Sequence, residues 1–154
     1  MRARRLLGAC DCRRSPLPRP LIIFALETGR RRGELLDLRW EYVDLRLCVA
    51  YLPLTKNFDN RDGLLSRRAV KTLLELRAVN VKDERVLPLS GNAVRHAVEH
   101  LRARAGMSDL RIHDLRHQAI SRLFERGLNM IELRSISGYR EPKMLAGRDI
   151  AEDL

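Results

Sequence analysis

Apolar residues recur at intervals of three and four along most of the chain, which is the spacing of one buried face of a helix. The pattern predicts six helices after residue 20, the last of which covers roughly Met130 to Ser137. The apolar positions expected to face inward in the first five are Leu21, Ile22, Phe24, Ala25 and Leu26, then Leu35, Leu36 and Leu38, then Ala69, Val70, Leu73, Leu74 and Leu76, then Val94, Ala97, Val98, Leu101 and Ala105, and then Leu115, Ala119 and Leu123.

Polar residues and glycines mark where these helices begin and end. Ser66 and Ser90 each precede a predicted helix, where a serine side chain can accept a hydrogen bond from the first turn. Gly29, Gly106 and Gly127 follow predicted helices, and glycine readily adopts the left-handed conformation that ends a helix. Most of the predicted helix ends are therefore explained by residues next to them in the sequence.

The helical pattern is interrupted between Asp44 and Leu54, where Leu47, Val49 and Tyr51 alternate with other residues as in a short strand. The polar segment from residue 57 to residue 62 is typical of a hairpin turn. We therefore predict a mixed fold, mainly α with a small antiparallel β-sheet.

The first 20 residues contain six arginines, two cysteines and three prolines, without a clear helical or strand period. We interpret residues 1–20 as a flexible basic arm and residues 21–154 as one folded domain.

The composition favours nucleic acid as the partner. The formal net charge is +10, and 26 of the 30 basic residues are arginine, whose planar guanidinium binds phosphate in a fixed geometry. Charge alone does not exclude an arginine-rich protein that binds no nucleic acid. The three cysteines do not have the spacing of a zinc site, so we expect no bound metal. No apolar run is long enough to span a membrane, so we expect a cytoplasmic protein that does not bind membranes.

Three short motifs carry candidate chemistry. His113 and Arg116 lie three residues apart at a predicted helix start, so they share a face. Arg31 follows a glycine turn at another helix start, with Glu34 one turn further on, and helix N termini favour anions. Lys56 lies at the tip of the predicted hairpin. Each motif alone is also typical of a solvated basic surface.

Taken together and in order, these motifs resemble the catalytic domain of the tyrosine recombinases, or phage-type integrases, from about Leu21 to Leu145. The segments that carry the resemblance are 27–36, 38–40 and 43–45 for the first arginine motif, 55–57 for the hairpin lysine, 112–117 for the second basic motif and 136–138 for the approach to the next active-site residue. The resemblance implies the DNA breaking-rejoining fold of that family.

The resemblance also implies a metal-free and cofactor-free reaction on double-stranded DNA, in which a tyrosine attacks a phosphate held by arginines and forms a 3′-phosphotyrosine link. Arg31 and Arg116 take the positions of the phosphate clamp, Lys56 that of the general acid and His113 that of the proton carrier. Glu34 takes the position that supports Arg31. Other recombinase subunits are further expected partners, and a nucleoid-associated location follows.

Two departures from the family pattern lie near the end of the sequence. Tyr139, followed by Arg140, stands where the family usually has a histidine or tryptophan that donates to the phosphate. Arg148 stands where the family has its nucleophilic tyrosine, in a turn about two residues short, although residues 151–154 again resemble the family. The expected function is therefore a DNA-binding member of the family without its nucleophile.

Two alternatives remain open at the level of sequence. One is an active recombinase that uses Tyr139 or a tyrosine from another subunit, and the other is a non-enzymatic protein that binds DNA or pairs with recombinases. The family's separate N-terminal core-binding domain is expected to be absent, which predicts weak and strongly salt-dependent DNA binding.

Overall fold

Seven helices and a small sheet form the part of the chain that the computed structural model describes, residues 2–11, 18–52 and 61–137. The helices are α1 (Arg2–Ala9), α2 (Pro18–Thr28), α3 (Arg32–Leu36), α4 (Arg67–Val79), α5 (Gly91–Ala105), α6 (Ile112–Glu125) and α7 (Met130–Ser137), with a short 3-10 helix at Trp40–Tyr42. The strands are β1 (Val43–Asp44), β2 (Val49–Leu52) and β3 (Arg61–Leu64), antiparallel in the order β1-β2-β3. The predicted fold class, mainly α with a small antiparallel sheet, is confirmed.

Helix α2 forms the centre of the core. All six residues from Leu21 to Leu26 are buried, and the helix packs against α1, α4 and α6. A helix covered on several sides is apolar around its circumference, which explains why its sequence is a continuous apolar run.

Helix α1 corrects the sequence interpretation of residues 1–20. Leu6, Leu7 and Cys10 are buried in the same core as α2, and burial raises the pKa of the Cys10 thiol to about 11. Arg5 of α1 donates to the carbonyl oxygen of Ala105, the last residue of α5, at 2.8 Å. Arg104 of α5 donates in turn to the carbonyl oxygen of Ala9, the last residue of α1, at 2.9 Å. The flexible-arm prediction is therefore wrong for residues 2–11 and for the start of α2.

The predicted helix boundaries agree with the structure where they depend on local chemistry. Ser66 and Ser90 accept hydrogen bonds from the backbone N–H groups of Ala69 and Ala93, both at 3.1 Å. Gly106 ends α5 in the left-handed conformation, with φ of 65°. Some predicted positions differ. Leu38 is buried beyond the end of α3, Leu74, expected to face inward, is 53% exposed, and Val70, Ala97 and Leu123 are only half-buried.

The sheet differs from its prediction at one end of the hairpin. Arg61 and Asp62, predicted to be turn residues, lie in β3 and pair with Leu52 and Tyr51 of β2. Within the described ranges, no helix combines the length and the apolar character needed to cross a membrane.

Candidate nucleic-acid interface

The turn between α2 and α3 lies directly against α6. Gly29 has φ of 61°, and a Cβ atom built on it would lie 3.5 Å from Ala119 Cβ and 3.9 Å from the carbonyl oxygen of Arg116. The left-handed conformation is what turns the chain at this point, and glycine adopts it without steric cost. As a result, the turn that leads into the first arginine motif packs on α6 next to the second basic motif.

Arg31 occupies the N-cap position of α3, immediately after this turn. Its backbone is extended (φ −68°, ψ 149°), and its side chain is 51% exposed. Glu34 accepts from the Arg31 backbone N–H at 3.0 Å and from its Nη1 at 3.4 Å. The expected contact between Glu34 and Arg31 is therefore present, and Arg31 is available to a ligand from solvent.

Arg116 and His113 lie in the first turns of α6 but differ sharply in burial. Arg116 is 3% exposed, whereas His113 is an exposed residue. The rings of His113 and His117 meet edge to face, with their centroids 4.7 Å apart and an interplanar angle of 88°. The i,i+3 spacing predicted the shared helix start, but not that the arginine is held inside the protein.

The start of α6 uses the same capping arrangement as α3. Asp114, in the third helical position, accepts from the backbone N–H of Arg111 at 2.7 Å. Carboxylates at these positions satisfy N–H groups that a helix start leaves without partners and favour the positive end of the helix dipole. Both basic motifs are thus built on helix starts with an acidic residue at the third position.

Arg30 is a buried residue beside the first arginine motif, and sequence reasoning missed it. It is 3% exposed, and its Nη2 donates to the carbonyl oxygen of Ala50 in β2. Three consecutive arginines, residues 30–32, look equivalent in the sequence, and no local signal distinguishes the buried one from its exposed neighbours.

Glu27 is a second residue that the sequence analysis did not identify. Its side chain is 7% exposed, accepts from Ser66 Oγ at 2.7 Å and faces Arg68 and Arg122 at 3.7 and 4.0 Å. This carboxylate therefore connects α2 with the start of α4 and with α6. Its three partners are remote in sequence, which is why no motif predicted the cluster.

Helix α7 packs against the sheet as well as against its neighbour in sequence. Its contacts are with β3 and with α6. Lys56, Tyr139, Arg140 and Arg148 lie outside the described residues. No group of three or more histidine, cysteine or acidic side chains within the described ranges is arranged to hold a metal ion.

The two other tyrosines lie at or next to the sheet. Tyr42 ends the 3-10 helix and is half-buried, and Tyr51 lies in β2 with 37% exposure. Neither belongs to the helix starts that carry the basic motifs.

Comparison with known proteins gives consistent results for sequence and for fold. The chain is 48% identical to the shufflon-specific DNA recombinase of Escherichia coli over 122 residues, which is 79% of this chain and 31% of that protein. It is 26% identical to the tyrosine recombinase XerA of Saccharolobus solfataricus over 139 residues, 90% of this chain and 46% of that protein. The chain thus spans less than half the length of either relative.

Solved structures match over nearly the whole chain. The crystal structure of XerA recombinase superposes with a TM-score of 0.75 at 22% identity, covering 94% of this chain and 56% of that one. The catalytic domain of bacteriophage HP1 integrase superposes with a TM-score of 0.73 at 25% identity, covering 93% and 80%. The model of the phage integrase family matches residues 2–148, so the chain belongs to the phage integrase family of tyrosine recombinases, as its motifs predicted.

Proposed function

We propose that this chain binds duplex DNA as a tyrosine recombinase catalytic domain and holds one backbone phosphate between Arg31 and Arg116. The observation that carries the proposal is the contact at Gly29, where the turn that leads to Arg31 lies against α6 at Arg116. Two guanidinium groups that approach one phosphate from different elements provide donors to several of its oxygens.

The two arginines would contribute differently to this clamp. Arg116 is buried, so its orientation is fixed before DNA arrives and little side-chain entropy is lost on binding. Arg31 is half-exposed and adjusts to the phosphate, while Glu34 restricts its range. A clamp with one fixed and one adjustable donor tolerates small changes in DNA position.

Lys56 and His113 supply the proton-transfer groups in this proposal. In the family's reaction a tyrosine oxygen bonds to phosphorus while the bond to the 5′ oxygen breaks, and that oxygen needs a proton. Lys56 is the proposed general acid, and the exposed His113 is the proposed proton carrier. The arginines stabilise the extra negative charge that develops on the phosphate oxygens. Tyr139 and Arg140 are proposed further phosphate contacts.

The nucleophile is the missing component. Arg148 stands in its position in the sequence, and arginine cannot form the covalent phosphotyrosine intermediate. We therefore propose binding without cleavage, and we expect Arg148→Tyr alone not to restore cleavage because the surrounding turn is also shorter.

DNA and further recombinase subunits are the proposed partners. XerH recombinase, which has a similar fold, was solved bound to its difH substrate, and lambda integrase was solved as a tetramer on a Holliday junction. Binding to cellular DNA would associate the protein with the nucleoid in the cytoplasm.

Binding across a salt series tests the phosphate clamp. We expect the affinity for a fluorescein-labelled duplex of about 30 base pairs, measured by anisotropy, to fall at least roughly 100-fold between about 50 and 200 mM salt. Arg31→Ala should weaken binding about tenfold and reduce the steepness of the log–log salt plot by about 1.

Arg95→Ala is the matched control. Arg95 is an exposed arginine on α5, which packs against α1 and α2, and its loss removes the same charge from another part of the molecule. A salt-independent affinity, or equal losses for Arg31→Ala and Arg95→Ala, would refute the clamp.

A further inference from the structure

Arg30 lies buried between the turn that leads to Arg31 and the sheet. Only 3% of its surface is exposed, and its guanidinium donates to the carbonyl oxygen of Ala50 in the middle of β2. Burying a guanidinium is costly, because the charge loses its hydration. A residue that only had to fill this space would be apolar, so the arginine points to a requirement for a directed hydrogen bond.

Two small residues of the sheet leave space for the Arg30 side chain. Ala50 and Gly63 are cross-strand partners in β2 and β3, and Ala50 is fully buried. A Cβ atom built on Gly63 would clash with Nη2 of Arg30 and lie only 3.1 Å from Cζ and 3.3 Å from Nε. The guanidinium therefore occupies the space that a side chain at residue 63 would need.

The turn is consequently held from two sides. Gly29 packs on α6, and Arg30, the next residue, is bonded to the sheet. Arg31 follows at once with an extended backbone, so its position depends on both contacts. Both contacts restrict where the backbone that leads to Arg31 can lie.

We propose that Arg30, seated on the Ala50–Gly63 pair, is a positioning residue that holds Arg31 at the phosphate site. This inference rests on the proposed DNA binding, because Arg31 is the group whose placement it explains. Arg30 itself does not contact the DNA. Its effect on binding acts through Arg31 and is lost when Arg31 is removed.

A double-mutant cycle between Arg30 and Arg31 tests this positioning role. In the unmodified chain, Arg31→Ala should weaken binding of the labelled duplex about tenfold. In a chain that already carries Arg30→Met, Arg31→Ala should weaken binding less than about threefold, because Arg31 is already displaced. Methionine retains the length and apolar packing of the side chain and removes the directed hydrogen bond.

Arg32→Met is the matched control, because Arg32 is the exposed neighbour and carries the same charge. In that background Arg31→Ala should keep its full effect of about tenfold. If Arg30→Met does not fold, Gly63→Ala replaces it, because the added methyl group displaces the Arg30 side chain from the sheet. It should likewise reduce the cost of Arg31→Ala below about threefold.

The outcomes separate the two proposals. If Arg31→Ala costs the same in the Arg30→Met or Gly63→Ala background as in the unmodified chain, the positioning role is refuted and Arg30 is only structural. If Arg31→Ala has no effect even in the unmodified chain, the phosphate clamp itself is refuted, and the positioning role is refuted with it.

Discussion

The two helix starts that carry the basic motifs are built alike but present their arginines differently. Arg31 at the start of α3 and Arg111 at the start of α6 both donate a backbone N–H to an acidic residue in the third helical position. The proposed clamp arginine of α3, Arg31, is the cap residue itself, with a side chain that is 51% exposed. The proposed clamp arginine of α6, Arg116, lies more than one turn inside the helix and is 3% exposed.

This difference in burial predicts different effects on the stability of the protein and on its binding to DNA. A buried arginine is part of the core, so its loss affects folding as well as DNA affinity. An exposed arginine at a helix start affects mainly the ligand. The two halves of one proposed site should therefore respond differently to the same substitution.

Arg116→Ala is expected to have the largest effect. Removing a buried side chain of this size leaves a cavity in the folded protein, so the free energy of unfolding should fall by about 2–4 kcal/mol. Urea denaturation followed by circular dichroism measures this. Arg126→Ala, at the exposed end of the same helix, is the control and should change the free energy of unfolding by less than about 0.5 kcal/mol. Equal effects would show that Arg116 is not held in the core.

Gly29→Ala tests the contact that joins the two halves. An L-residue at a φ of 61° is strained, and the added methyl group would meet α6, so the protein should lose about 1–2 kcal/mol of stability. Gly33→Ala is a matched control inside α3, where an added Cβ meets open space. That change should be neutral or stabilise by up to about 1 kcal/mol, since alanine is the better helix former. Thermal melting of both variants measures the difference. Equal melting temperatures for Gly29→Ala and Gly33→Ala would contradict this account.

The shared capping arrangement predicts similar moderate effects on the two sides. Glu34→Ala and Asp114→Ala each remove a carboxylate that accepts from a helix-start N–H, and each should cost about 0.5–1 kcal/mol in the free energy of unfolding. Urea denaturation at low and high salt measures both. A difference of more than about 1.5 kcal/mol between them would mean that the two starts are not equivalent.

Arg31→Ala should have the smallest effect on stability. It removes one exposed ion pair with Glu34, and such pairs contribute about 0.5 kcal/mol or less. The free energy of unfolding should stay nearly constant while duplex affinity falls. A stability loss comparable to that of Arg116→Ala would remove the contrast between the two helix starts.

The sequence predicted best what is decided locally. The bounds of α7 and the caps at Ser66 and Ser90 were predicted correctly, because the side chain and the backbone groups it satisfies lie within one turn. Helix α1 was missed because its few apolar residues show no clear period alone. Its burial depends on α5, about 100 residues away, with which it exchanges arginine contacts.

The sequence indicated some residues of the candidate site but not the contacts between them. Arg31 and Arg116 were identified from the order and spacing of motifs, and the Gly29 contact brings their elements together. The burial of Arg30, rather than Arg31 or Arg32, depends on the small residues Ala50 and Gly63 in the sheet. The partners of Glu27 come from two further helices, so no pattern within one element predicts them.

One measurement tests the central claim, that the chain is a phosphate clamp without a nucleophile. A nicked duplex designed to trap covalent recombinase intermediates is incubated with the protein, and the same sample is run on a native and on a denaturing gel. We predict a shifted, salt-sensitive band on the native gel and no protein–DNA adduct on the denaturing gel. An adduct that survives denaturation, or the absence of any native shift at low salt, would contradict the account.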